Sequence, residues 1–134
     1  MCLRINKHQE SEITENDITC YKRLEYNKHC NAYITPYMGF RVILGKTYKA
    51  ELRVNTYNRF HDSVNDGIHS YAHKEDAMNE KCRDEVVVKC VIPKGSSYFF
   101  GGYNDFEGYA SNQLTYIIEP SLLKKIMKSL FFIK

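Results

Sequence analysis

The chain has 134 residues, 43% hydrophobic and 26% charged, with a formal net charge of +3. That length suits one domain that buries a core without metal or disulfide staples, and that balance argues against a disordered or membrane-spanning chain. Residues 121–134 hold Lys124, Lys125, Lys128 and Lys134 and no acid, so with 19 basic and 16 acidic groups in all, the rest of the chain is one charge negative, which argues against duplex nucleic acid as a partner.

Residues 1–17 open on Met-Cys-Leu and close on the polar run Glu10–Asp17, with none of the apolar character of a signal peptide. Ile18–Leu24 alternates apolar and polar residues and predicts a first strand. Tyr26–Asn31 reads as a loop leading to Ile34-Thr-Pro-Tyr37, where Pro36 predicts a turn or a sheet edge. Phe40–Leu44 and Thr47–Val54 are extended segments split by Gly45-Lys46, either a hairpin or an irregular loop. Asn55–Asp66 is polar and reads as loop. Gly67–Ala72 predicts a short strand. His73–Arg83 predicts the internal helix, with Glu75 and Asp76 in its first turn and Lys81 and Arg83 in its last.

Glu85–Ile92 predicts the most buried strand, because Val86–Val88 lacks the alternation of a half-exposed one. Pro93-Lys-Gly-Ser96 predicts a type II turn with Gly95 at its positive-φ position. An aromatic, Gly-rich excursion containing a strand over Tyr98–Phe100 then leads to a returning strand over Leu114–Ile118. From Pro120 onward, Leu122, Leu123, Ile126, Met127, Leu130 and Phe131 share one face of an amphipathic helix that closes the sheet core or meets a membrane or partner. The expected fold is α+β, a single domain over 1–134 with a curved or split, mostly antiparallel sheet, one internal helix and a C-terminal amphipathic helix.

Five cysteines, odd in number and without a Cys-x-x-Cys pair, predict free thiols in a reduced, cytoplasmic protein. Cys90, in the valine-rich strand, is expected to be buried and inert, and Cys2 and Cys30 reactive. His69 and His73 are four apart, but a strand-to-helix junction between them removes the geometric meaning of that spacing for a metal. Gly45-Lys-Thr47 lacks the upstream glycine of a phosphate-binding loop, since Phe40 stands there. No cofactor and no metal is expected.

Tyrosine is abundant, 11 residues beside 7 Phe and no Trp, which suits half-buried strands and recognition surfaces alike. The leading expectation is a non-enzymatic module that binds a small anionic or nucleotide-like ligand in a tyrosine-lined cleft. Tyr21, Tyr37, Tyr71 and Tyr98 would supply its rings. Lys94 and Ser96 would hold an anion in the Pro-Lys-Gly-Ser turn, so that Lys94→Ala would cost about 1–2 kcal/mol of binding. Alternatives are an inhibitor that covers a host protein, or an enzyme whose nucleophile is an N-terminal Cys2.

The ordered segments Met1-Cys-Leu3, Asp17–Lys22, Thr35-Pro-Tyr37, Leu44–Tyr48, Gly67–Tyr71, Val91–Ser96 and Tyr109–Ser111 resemble a group of small proteins of bacteria and their phages. That resemblance spans about 1–118 and implies one compact intracellular domain, without supplying an active site. Cys20-Tyr-Lys-Arg23 and His69-Ser-Tyr71 are similar to the first and middle strands of the ADP-ribosyltransferase-like fold, which implies a cleft for a nicotinamide dinucleotide and a transferase centre around Arg23, His69 and Ser70. Ser111-Asn-Gln113 lacks the catalytic glutamate of that fold, so this similarity implies ligand binding more than transfer.

Overall fold

The computed structural model describes residues 2–29, 32–36 and 39–119. Cys30, Tyr37 and the segment expected to form the C-terminal helix lie outside them. The first half of the chain supplies β1 (Leu3–Asn6), β2 (Glu12–Ile13), the long β3 (Ile18–Asn27), β4 (Ala32–Ile34), β5 (Arg41–Val42), β6 (Thr47–Lys49) and β7 (Arg53–Thr56). The second half supplies β8 (His61–Asp66), β9 (Ile68–Tyr71), α1 (Lys74–Glu80), β10 (Glu85–Ile92), β11 (Ser97–Tyr103), β12 (Phe106–Ser111) and β13 (Gln113–Tyr116). Among the described residues, all thirteen strands join one curled sheet, each pairing is antiparallel, and no helix is long and apolar enough to cross a membrane.

The strongest pairing is β3 with β10, in register from Glu85↔Glu25 to Ile92↔Ile18. Beyond it, β10 pairs with the returning strand β13 through Cys90↔Tyr116 and Val91↔Thr115, and β11 and β12 form the hairpin between them. The Pro93–Ser96 turn has the expected form, with Gly95 at φ +86° and Ser96 N–H donating to Pro93 O at 3.1 Å.

Four segments differ from the sequence expectation. β3 runs on through Asn27, because Glu25–Asn27 pair with β4. Of the two readings left open around Gly45, the hairpin does not form: Gly45 N–H donates to Tyr116 O at 2.7 Å, which draws β6 onto β13 while β5 pairs with β4. The polar stretch Asn55–Asp66 is no loop but carries β8, paired with both β1 and β7. Its polarity is satisfied locally, as Asp62 accepts from His8 N–H at 3.0 Å and pairs with Lys7 at 2.9 Å, and Ser63 Oγ donates to Asn65 at 3.0 Å. The helix is shorter than expected: Lys81 is its extended C-cap, with ψ 140°, and Arg83 lies beyond it.

Side chains directly opposite in an antiparallel pair share a face of the sheet. Following the registers Cys90↔Cys20 and Cys90↔Tyr116 gathers Cys20, Leu24, Val88, Ile92 and Leu114 on one face, where they form the larger apolar cluster. Following Tyr21↔Tyr71, Gly108↔Tyr71 and Phe99↔Ala110 leads to the opposite face, where Leu3, Ile5, Val64, Phe99, Tyr103 and Ala110 form the second. Each fully buried Leu or Ile contributes roughly 1.5–3 kcal/mol, so the sheet carries a core on each side.

The two ends of the main strand path, β6 and β7, are joined only by Ala50-Glu-Leu52. Laid flat, ten strands would hold those edges about 43 Å apart, while the link from Lys49 to Arg53 spans at most about 14 Å. The sheet therefore has to curl. Leu52 seals the link against Gly67, which has φ +129° and where an added Cβ would come within 2.6 Å of Leu52 Cδ2. Gly67→Ala is expected to cost about 1–3 kcal/mol, from the left-handed backbone and this contact together. An unchanged urea unfolding midpoint would show that the link does not pack as described.

Candidate functional site

The site starts from a fork in the sheet. One edge of β3 is covered by β10, whereas the other meets β9 only at Tyr21↔Tyr71 and β4 only from Glu25 to Asn27. Lys22, Arg23 and Leu24 lie between those pairings, and there a cavity of about 720 Å³ opens, a size typical of small-ligand sites. Its walls are Lys22 and Arg23 of β3, Thr35, Pro36 and Phe40 after β4, Arg41 and Val42 of β5, Tyr48–Ala50, Asn65–Tyr71, and Tyr116 of β13.

Lys22 shares the parity of Cys20 and Leu24 and so points to the buried face. Its Nζ reaches across the fork to donate to His69 O at 2.8 Å. Burial lowers its pKa, Arg23 beside it adds to that, and the nearby Cys20 and Cys90 partly oppose it. Both thiols are fully buried, and burial pushes Cys20 up to about 11 and Cys90 well above its ordinary value, so both stay neutral near pH 7. The expectation of a buried Cys90 is met; Cys2 is exposed, as are Cys82 and the cavity-lining Arg41 and Lys49.

Arg23 lies on the other face. Its guanidinium pairs with Glu85 at 3.1 Å, donates to Glu80 O at 2.7 Å and sits 6.0 Å from the Tyr71 ring centre. Much of its charge is therefore committed to holding α1 and β10. The side chains of Arg41 and Lys49, by contrast, make no ion pair or hydrogen bond among the described residues, and Asp66, the one carboxylate among the described residues of the wall, pairs with Arg53 at 3.5 Å. Tyr48 and Tyr116 meet edge-on at 5.7 Å and, with Phe40 and Tyr71, give the cavity its aromatic surface.

Ser70 is 3% exposed and lines the cavity, yet its Oγ has no hydrogen-bond partner among the described residues. The Cys20 sulfur is near enough for that hydroxyl to favour its thiolate slightly without completing a hydrogen bond. An orphan buried hydroxyl is uncommon and points to a missing partner.

Of the residues expected from sequence, the cavity brings together Arg23, His69, Ser70 and Tyr71. Tyr21 lies opposite Tyr71 in the strand pair but does not line it. Lys94, Ser96 and Tyr98 belong elsewhere. Ser96 is fully buried, its Oγ donating to Pro93 O at 2.6 Å and its N–H to Thr14 Oγ1 at 3.1 Å, so its polar groups hold the turn together. Lys94 N–H donates to Asp17 at 2.8 Å, and Tyr98 OH to Glu12 at 2.8 Å. Sequence reading missed Lys22, Arg41, Lys49, Tyr48 and Tyr116. A lysine at the parity of Cys20 and Leu24 was the available signal for the first; the others reach the site only through pairings of β5, β6 and β13 that local patterns do not specify. The segments Cys20–Arg23 and His69–Tyr71 lie side by side in β3 and β9, which pair at Tyr21↔Tyr71.

His69 Nε2 lies 2.8 Å from Val64 O, and because a carbonyl only accepts, Nε2 carries the proton. Burial lowers the pKa of His69, and the Lys22 charge lowers it further. The unfolded chain therefore takes up this proton at a higher pH than the native one. His69's contribution to stability is full above about pH 6.5 and is lost as the pH falls from there through the depressed native value. His69→Gln should flatten the fall in unfolding free energy between about pH 7 and 5; an identical slope in the variant would contradict the buried neutral ring.

Comparison with family models, with curated proteins and with solved structures finds no match to this chain.

Proposed function

We propose that the protein binds a small, anionic, ring-bearing ligand, such as a nucleotide, in the cavity at the β3 fork. The observation that carries this reading is the wall itself: Lys22, Arg41 and Lys49 without carboxylate partners among the described residues, against one already paired acid, beside Phe40, Tyr48, Tyr71 and Tyr116. Cations without counter-charges favour an anion by charge-assisted hydrogen bonds, and the aromatic faces suit a base or another flat ring. We place this binding in a reducing, cytoplasmic setting, in keeping with the free thiols. The effect expected of Lys94 from the sequence passes to Arg41 and Lys49, because Lys94 does not line the cavity.

Titration calorimetry with adenosine, AMP and ADP tests this directly. Affinity should rise from adenosine to ADP, and Arg41→Ala and Lys49→Ala should each cost about 1 kcal/mol, the scale of a solvent-exposed charge-assisted contact. Lys94→Ala should leave ADP affinity unchanged. No heat with any of the three compounds at millimolar concentration, or equal affinity for adenosine and ADP, would sink the proposal.

A second reading, a protein partner, draws on Phe40 and Ile43, which are 62% and 63% exposed on the connection from β4 to β6. Exposed apolar side chains so close in the chain favour contact with another surface. Loss of a captured protein on Phe40→Ser, with ADP affinity absent throughout, would favour it.

A further inference from the structure

The binding reading leaves two features of the cavity unexplained. A ligand held only by charge would be served by lysines at the rim, as Lys49 is placed, yet Lys22 stands on the buried face with no carboxylate partner among the described residues, its ammonium resting on the His69 carbonyl. Ser70, the next residue, keeps a buried hydroxyl without a hydrogen-bond partner among the described residues, in the same cavity. A lysine in such surroundings is drawn toward its neutral, nucleophilic form.

Resting on the binding reading, we propose that Lys22 captures an anionic, ring-bearing aldehyde or ketone as a reversible imine, with the Ser70 hydroxyl relaying the proton. The lone pair of neutral Nζ forms a bond to the carbonyl carbon, and the C=O π pair moves onto oxygen. Ser70 gives its proton to that oxygen and recovers one from the nitrogen, leaving a neutral carbinolamine and an unchanged serine. Loss of water then breaks the C–O bond, the remaining N–H proton departs with the oxygen as water, and the C=N bond forms. The sum is amine plus carbonyl compound giving imine plus water, and no oxidant or reductant takes part.

The rest of the cavity fits that class of ligand. Arg41 and Lys49 can hold its anionic group, Tyr48 and Tyr116 can flank its ring, and about 720 Å³ leaves more room than a simple 2-oxo acid needs. Covalent capture would retain such a ligand even where its ionic contacts are exposed to salt.

Pyridoxal 5′-phosphate, an aromatic aldehyde with a phosphate, serves as the probe. The full-length protein is mixed with one equivalent, the imine is fixed with sodium borohydride, and the labelled peptide is located by mass spectrometry. Lys22 should carry most of the label, saturating ADP should protect it at least ~5-fold, and Ser70→Ala should slow labelling about 10-fold or more, the scale of a lost proton relay. Lys22→Met should abolish the specific label; should that variant fail to fold, the wild-type peptide map and ADP protection decide. Label spread evenly over surface lysines such as Lys46 and Lys94, or labelling of Lys22 that Ser70→Ala leaves equally fast, would overturn the proposal. If ADP binds the wild type while Lys22 stays unlabelled, the imine fails and the binding reading stands. If ADP does not bind either, both fail.

Discussion

The structure depends on β3 being shared. Its residues pair with β10 along one edge, but the other edge is divided between β9 near Tyr21 and β4 from Glu25 onward. A strand can satisfy only one partner per edge at each residue, so a divided edge has to leave a gap. From that gap follows a cavity where the branches part. The short link Ala50–Leu52 brings β6 and the start of β9 to the same place, with Ala50 N–H donating to Asn112 O at 2.9 Å.

The fork also explains why charged side chains stand where an unbroken sheet would need apolar ones. Lys22 occupies a position of buried parity, and only the missing neighbour on that edge gives its ammonium the His69 carbonyl and the cavity as surroundings. Arg23, one residue on, faces the opposite side and ties β3 to Glu85 and to the end of α1. Adjacent cations thus have different work: one binds the framework together, and the other faces the space it encloses.

How much of this was legible in the sequence follows from the range of the interactions involved. The alternation in Ile18–Leu24, the valine run of β10 and the glycine turn at Gly95 are local signals, and those elements formed where expected. β8 was hidden because Asp62 and Ser63 look like loop residues until Lys7, His8 and Asn65 are known to satisfy them. Local signals left a hairpin and an irregular loop equally open around Gly45, and a long-range bond with Tyr116 decides against the hairpin. The site was half legible. Arg23, His69 and Ser70 were named only through a resemblance, and Tyr48 and Tyr116 meet only because β6 and β13 pair across more than sixty residues. Lys94 and Ser96 looked like an anion site because the same turn chemistry that binds anions also closes a type II turn.

The divided edge can be observed without any ligand. In a nuclear Overhauser experiment on the uniformly labelled protein, cross-strand backbone contacts of β3 should appear to β9 at Tyr21–Tyr71 and to β4 at Tyr26–Tyr33 in the same sample, both at the intensity of a fully formed antiparallel pair. If β3 shows contacts to only one of these strands, or if contacts to a single partner run unbroken through Lys22, Arg23 and Leu24, there is no fork, and the account of the cavity built on it is wrong.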